Sequence, residues 1–493
     1  MNFILVISDT LRHDHLGCYG NDWISTPNID RFAARSIVFE RAYAASFPTV
    51  PHRHDVLTGR YTLIDSGWQP LPRHEVVLAE ELGKVGYTSM MILDQPHIVE
   101  NGYRYDRGFT GWEWIRGQET DRWQTAPASP PMPCASHKLR SADWIVKRHQ
   151  RNIHWRQSEE DTFVAQTMTA ACHWLERNWK EHEDFFLYVD TFDPHEPWDA
   201  PQWYVDMYDP GYEGEEVNYP IYGPSDSLTS EELKHARALY AAEVTLVDRW
   251  VGRLLERIED MGFLENSVVI FTTDHGFYHG EHGLIGKSLI SPGQLSYVSL
   301  YEEVAHIPLI IHYPGCAPRR EQAFVQPPDF MPTFLELAGA RDPGTMHGRS
   351  LVPILEAQSL PWREFAVTAP TLVTGAASGG RPAIAADTIS RQWGTAGSSA
   401  RATITTDEWA FIFGGRPPET GEFEIETRAV DGLVKRQIVG EALPPELYHL
   451  PSDPRQMHNV ISQHPQVAAE LRQAFVDFLE SLDAHAALIE PWH

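Results

Sequence analysis

Three uninterrupted apolar runs, FILVI at 3–7, FFLYV at 185–189 and VVIFTT at 268–273, each end within two residues of an aspartate. Runs this short and this apolar read as strands buried on both faces, the habit of a parallel sheet covered by helices. Thr88–Leu93 and Leu309–His312 have the same character. Amphipathic stretches alternate with them: Phe163–Lys180, and Glu231–Met261 behind a Thr229/Glu232 capping box. The alternation predicts an α/β sandwich with a large, mostly parallel sheet between helices. Ligands in such sheets gather beyond the carboxyl ends of the strands. Asp9, Asp190 with Asp193, and Asp274 are therefore expected to point into one crevice.

The character changes after about residue 360. The Gly-, Ala- and Ser-rich stretch 374–400 reads as an irregular excursion. "ATITTDEWAFIFGG" then reads as a hairpin, "ELYHL" as a short strand, and Gln466–Leu482 as a closing amphipathic helix. The expected division is a catalytic domain over 1–365 and a small C-terminal α+β domain over 366–493.

Charge narrows the partners. With 68 acidic against 40 basic residues the formal net charge is -28, which argues against nucleic acid and against an anionic membrane. A small anionic substrate then needs a locally positive site, supplied by a metal ion with Arg and Lys around it. The cysteines Cys18, Cys134, Cys172 and Cys316 are scattered, without disulfide or metal-ligand spacing. They fit a reducing compartment, the cytoplasm. The opening run, stopped at Ser8-Asp9 with no basic residue before it, is expected to be a first strand rather than an export leader or membrane span. A homo-oligomer is left open.

The stretch "SFPTVPHRHDVLTGRY", Ser46 to Tyr61, reads like the nucleophile turn of a hydrolase. Pro51 suits a first helical turn, which places the Thr49 hydroxyl at a helix N-terminus. The dipole there favours an alkoxide and any anion transferred to it. Arg53, one turn on, returns to the same face. An N-cap is the commoner role of such a threonine, and His52 and His54 read as exposed polar residues of the helix. "TDHG" at 273–276, together with Asp9, offers two carboxylates and an imidazole to a divalent cation.

The run T-x-P-x-R-x-x-x-L-T-G-R resembles the signature of the sulfatase family, which normally has Cys or Ser where this chain has Thr49. "ISDTLRHDHLGCYG", "FDPHEPW", "TDHGFYHGEHGLIGK", "YEEVAHIPLII", "DFMPTFLELAGA", "GRSLVPIL" and "ELYHLPSDPRQMHNV" follow in family order, from Phe3 to about Val460. The resemblance implies the alkaline phosphatase-like fold. "YRYDRGFTGWEWIRGQETDR" is most similar to arylsulfatase-like and phosphonate-monoester-hydrolase-like members. It further implies Asp9, Asp274 and His275 as ligands of one divalent ion, with Thr49 also touching it. Thr10 stands where many members have a second Asp, and His275 where others have Asn, which tilts the ion toward manganese or zinc while keeping calcium in play. Arg53 would orient the nucleophile, His195 would serve the leaving group, and Lys287 would bind a substrate oxygen. His97 and Tyr105 would line the pocket. Asp190, Asp193, His195, His279 and His282 are available for a second ion, but the Asp-x-x-x-His spacing of two-metal relatives is missing, so one ion is expected.

Thr49 sets the chemistry. Sulfatases use formylglycine made from Cys or Ser, whereas a plain hydroxyl can attack phosphorus, as in phosphodiesterase-like and phosphonate-hydrolase-like branches of the superfamily. The expected activity is therefore metal-dependent hydrolysis of phosphate or phosphonate esters. The alternatives are a sulfuric ester hydrolase working without formylglycine and a non-catalytic anion-binding member. Trp114, Trp123 and Trp198 read as ordinary packing rather than as the wall of an aryl pocket.

Overall fold

The computed structural model describes the chain apart from residues 126–129, 183, 292–293, 297, 359, 373–400, 416–422, 429–433 and 440–443. The stretch read as an irregular excursion lies outside the described residues.

Eight strands build the central sheet: β1 (Asn2–Ser8), β2 (Ile37–Phe39), β3 (Thr88–Leu93), β4 (Gly111–Trp114), β5 (Phe185–Thr191), β6 (Ser267–Thr272), β7 (Leu309–His312) and β8 (Arg319–Glu321). Their spatial order is β8-β2-β7-β6-β1-β5-β3-β4. β7 runs against β2 and β6, and the other pairs are parallel. Side chains alternate across β1 as its pleat requires. Ile4 and Val6 enter one apolar layer, with Met168 and Leu175 of α3 (Phe163–Arg177) and Leu246 and Leu254 of α4 (Ser230–Asp260). The shorter α1 (Pro27–Ala33) adds Ile29 and Phe32 there. Phe3, Leu5 and Ile7 enter the opposite layer, with Val56 and Leu57 of α2 (Thr49–Thr58) and Phe334 of α5 (Phe330–Leu337). The capping box closes as expected: Thr229 Oγ1 accepts from the Glu232 N–H, and the Glu232 carboxylate accepts from the Thr229 N–H.

A second sheet takes strands in the order Glu446–His449, Trp409–Gly414, Arg401–Thr406, Phe365–Pro370 and Ser46–Phe47. Phe411, Phe413 and Leu447 pack there against Phe475 and Leu479 of α6 (Pro465–Ser481). Ser46 and Phe47 pair in parallel with Ala369 and Pro370. The residues just ahead of Thr49 are thus anchored to the C-terminal sheet, while α2 itself packs on the central one.

Among the described residues no helix is long and apolar enough to cross a membrane. Cys18, Cys134, Cys172 and Cys316 are free thiols.

Candidate active site

β1 lies between β5 and β6, with Ile7 opposite Asp190 on one side and Thr272 on the other. Asp9 and Asp274 therefore stand level just past the ends of β1 and β6, with Asp190 two positions back in β5, and all three are buried. The turn after β1 is shaped by Thr10, whose φ of 62° is a conformation that β-branched residues rarely adopt. It aims the Thr10 N–H at Asp274 Oδ1 (2.8 Å), which also accepts from the His275 N–H (2.8 Å). Thr10 Oγ1 donates to Asp9 Oδ1 (2.7 Å).

α2 points its N-terminus at these carboxylates and stops at Gly59, whose left-handed φ of 68° ends the helix. Every residue of α2 is buried. His52 and His54, expected to be solvated, are fully enclosed and make no hydrogen bond through either ring nitrogen. The helix has no water-facing side because one flank meets the central sheet and its entry is tied to the C-terminal one. Asp55 fastens that entry by accepting from Ser46 N and Oγ and from Thr62 N and Oγ1, all at 2.6–2.9 Å.

Arg53 is the hub. Its Nε and Nη2 reach Asp190 Oδ2 and Oδ1 at 3.0 and 2.8 Å, its Nη1 stands 3.0 Å from Asp9 Oδ2, and the same nitrogen donates to Asp274 Oδ2. Asp190 also accepts from the Tyr188 hydroxyl (2.7 Å). Such a buried ionic cluster stands only while all its partners are present.

The donor set fits a divalent cation. Asp9, Asp274 and His275 each offer an atom within 4.8 Å of the others, and an ion about 2.1–2.4 Å from each of two ligands separates them by up to about 4.8 Å. The His275 Nδ1–H donates to Gly276 O (3.0 Å), which leaves the Nε2 lone pair facing the carboxylates. Burial takes the His275 ring down to a pKa of about 3, which leaves it neutral with a lone pair to offer. Burial and the nearby Asp274 push the Asp9 carboxyl well above the usual range, against the pull of Arg53 and Lys287. The set already attracts cations: Lys287 Nζ lies 3.3 Å from His275 Nε2 and 3.2 Å from Thr10 Oγ1. Thr49 Oγ1 is 3.5 Å from the same Nε2. Thr49, Arg53, Lys287 and the three ligand groups thus share one pocket.

His195 sits beside it, stacked on Phe192 with centroids 4.0 Å apart. Its Nδ1–H donates to Glu196 O (2.6 Å), leaving Nε2 bare. Burial, with Lys287 close by, lowers its pKa well below the ordinary value. His97 meets the other edge of Phe192 and the edge of Trp68, and its Nε2 lies 2.8 Å from Glu119 Oε2. Tyr105 departs from the expected place: it is fully buried, packs edge-on to His54 and donates its hydroxyl to Gln69 O (3.3 Å).

The residues available for a second ion are dispersed. Asp190 holds Arg53, Asp193 accepts from Gln118 Nε2 and the Val164 N–H, His279 packs among Tyr240 and Phe277, and His282 stacks on Tyr301. Trp198 is packing, its indole N–H bound to Pro194 O.

Comparison with known proteins agrees with this geometry. A family model described as Sulfatase matches residues 1–340. An arylsulfatase of Clostridium perfringens is 26% identical over 416 residues, covering 74% of this chain and 80% of that protein. An N-acetylglucosamine-6-O-sulfatase of Bacteroides thetaiotaomicron is 26% identical over 435 residues, covering 74% and 73%. The solved phosphonate monoester hydrolase of Agrobacterium radiobacter superposes with a TM-score of 0.68 at 21% identity, covering 98% of this chain and 95% of that one. The match over residues 1–340, on a sheet whose central strands deliver the Asp9–Asp274–His275 group, places the chain in the sulfatase family of ester hydrolases, within the alkaline phosphatase-like superfamily.

Proposed function

We propose that the chain hydrolyses phosphate or phosphonate esters, phosphodiesters included, with Thr49 as nucleophile and one divalent ion, manganese, zinc or calcium, on Asp9, Asp274 and His275. The observation that carries this reading is the Thr49 hydroxyl, which opens α2 at 3.5 Å from His275 Nε2. A helix N-terminus and two buried cations, Arg53 and Lys287, favour an ionised oxygen there and an anion in front of it. A bound divalent ion supplies Lewis-acid polarisation of the ester and further lowers the hydroxyl pKa. Thr49 Oγ forms the new bond to phosphorus as the bond to the leaving oxygen breaks. The departing oxygen takes its proton from His195 Nε2, which an arriving anion helps to protonate. In-line attack by water, its proton returning to His195 Nε2, then breaks the bond between phosphorus and Thr49 Oγ, frees the phosphate or phosphonate and restores the ionised threonine. Lys287 holds a nonbridging oxygen throughout, and Arg53, anchored on Asp190, orients the nucleophile and adds positive charge beside the anion, so electrostatic positioning supplies most of the acceleration.

Sulfate-ester hydrolysis without formylglycine is the second reading, favoured by the sulfatases among the relatives. Paired assays on an aryl sulfate, an aryl phosphodiester and a phosphonate monoester separate the two. A large sulfate preference sinks the first reading, and mass spectrometry of a quenched turnover should find Thr49 carrying the phosphorus group of the substrate with its remaining organic substituent. Residues 1–365 are taken as the catalytic domain and 366–493 as its C-terminal companion. The free thiols support a cytoplasmic site of action.

A further inference from the structure

Beyond the Thr49 pocket lies a buried ionic chain to which the reaction has so far assigned nothing. It begins at His97, whose Nε2 meets Glu119 Oε2 at 2.8 Å. Glu119 Oε1 faces Arg140 Nη2 at 3.5 Å, and the same nitrogen donates to Glu196 Oε1. The Glu196 main-chain oxygen takes the His195 Nδ1–H, and its Oε2 lies 3.3 Å from that nitrogen with no hydrogen bond of its own. Arg140 therefore stands midway between the two histidines that flank Phe192.

The surroundings are built for this guanidinium. Arg140 lies over the rings of Tyr219 and Tyr222, 4.3 and 4.2 Å from its carbon, where the ring faces attract its charge. The Tyr219 hydroxyl donates to Glu119 and the Tyr222 hydroxyl to Glu196, so each ring also ties down one of the two carboxylates. Glu119 holds a φ of 37°, a conformation that non-glycine residues rarely adopt and that the surrounding bonds must enforce. One guanidinium nitrogen meets both carboxylates, and it is the stacking of the planar group on two rings that suits arginine better than lysine.

We propose that Arg140 is a positioning residue that fixes the rings of His97 and His195 against the leaving group, acting through Glu119 and Glu196. The inference rests on the reading of His195 as the proton donor to that group. Without Arg140 the two carboxylates repel each other, Glu119 lets His97 turn, and the unpartnered Glu196 Oε2 competes with the main chain for the His195 Nδ1 proton.

General acid help matters most when the leaving oxygen is basic and least when it is already a stable anion. The test is a leaving-group series, from nitrophenyl through phenyl to alkyl esters of one phosphonate, run on the full-length metal-loaded protein as wild type, Arg140→Met, Arg140→Lys and His195→Ala. Histidine 15N spectra of the same proteins report which ring nitrogens carry protons. Arg140→Lys keeps the charge and guards against a variant that does not fold. The expected result is that both Arg140 variants slow the phenyl and alkyl esters about 10-fold or more, a fraction of the 10²–10⁴ that general acid catalysis supplies. The nitrophenyl ester should change only a few-fold, and the His97 and His195 resonances should shift together. A uniform loss across the series, or unshifted ring resonances, overturns the inference. A steep series for His195→Ala beside a flat one for both Arg140 variants sinks the role of Arg140 alone. A flat series for His195→Ala sinks the reading of His195 itself and leaves Arg140 no reaction to serve.

Discussion

Arg53 and Asp190 meet edge to edge, two parallel N–H···O bonds of 3.0 and 2.8 Å between side chains with no exposed surface. The pair explains how a guanidinium can sit among the proposed metal ligands: its fork is spent on Asp190, and only Nη1 is left for Asp9 and Asp274. Asp190→Asn should let the fork rotate and misplace Nη1. Outer partners of this kind typically cost 10–100-fold, so kcat/KM is expected to fall by about that factor while the Tm shows the protein still folded. Unchanged kcat/KM would refute the orienting role.

Thr49 is the sharpest single position. Thr49→Ala should lower kcat by ~10³-fold or more, because no other hydroxyl is placed on that face of α2 to replace it. Thr49→Ser keeps the oxygen and should stay within about 10-fold of wild type. Turnover by Thr49→Ala close to that of wild type would mean that water attacks directly, and the covalent step would be abandoned.

His195 gives a pH signature. Burial and Lys287 hold its pKa low in the free enzyme, whereas a bound anion opposes that shift. The acid is present below its pKa and lost above it, so rates should fall as pH rises through it. The fall should come at higher pH for kcat, which reports the substrate complex, than for kcat/KM, which reports the free enzyme. Coincident limbs, or the same limbs in His195→Ala, would count against it.

Much of this frame is legible in the sequence because the physics is local. Thr88–Leu93, Ser267–Thr272 and Leu309–His312 are strands with the bounds their apolar runs imply, since a strand buried on both faces must be apolar throughout. The reversed direction of β7 is not legible, because side-chain periodicity is the same for a strand read either way. Nor is the burial of His52 and His54: α2 has no apolar stripe, and a polar helix normally reads as solvated, but here two sheets close over it. Tyr105 fails for a related reason, since an aromatic in a loop can face a pocket or a core and only the packing of His54 says which. Arg140 lies in no motif at all. It enters through the fold, which brings Tyr219 and Tyr222 around a segment some eighty residues earlier.

Metal binding can be checked apart from activity. Divalent manganese, zinc or calcium at about 100 times its Kd should add ~2.7 kcal/mol to stability and raise the Tm accordingly. Asp9→Asn should abolish that response. It should also destabilise the metal-free protein, by about 3–5 kcal/mol where Arg53 loses a buried partner, so each Tm response is read against that protein's own metal-free baseline. A Tm response that survives Asp9→Asn would move the ion elsewhere.

The loops that carry Asp9 and Asp274 are held together by a second guanidinium, and this sets an acid limit on the fold. Arg12 bonds Asp14 in bidentate fashion, at 2.8 and 2.7 Å, and reaches Glu281 Oε1 (2.8 Å) and Phe277 O (3.1 Å) in the neighbouring loop. Burial alone would raise the Glu281 carboxyl, but Arg12, His279 and main-chain N–H groups together outweigh it and take the pKa down to about 2. A carboxylate whose folded pKa is depressed stabilises fully above its unfolded value, about 4.3, and loses that contribution as pH falls toward 2. The span corresponds to at most about 3 kcal/mol, less where solvent reaches the pair. Urea unfolding of wild type and Glu281→Gln should therefore differ most near pH 7 and converge as the pH approaches 2. A gap that stays constant from pH 7 to pH 2.5 would show that Glu281 acts through packing rather than charge, and would leave Arg12 to Phe277 O as the polar clamp between the two loops.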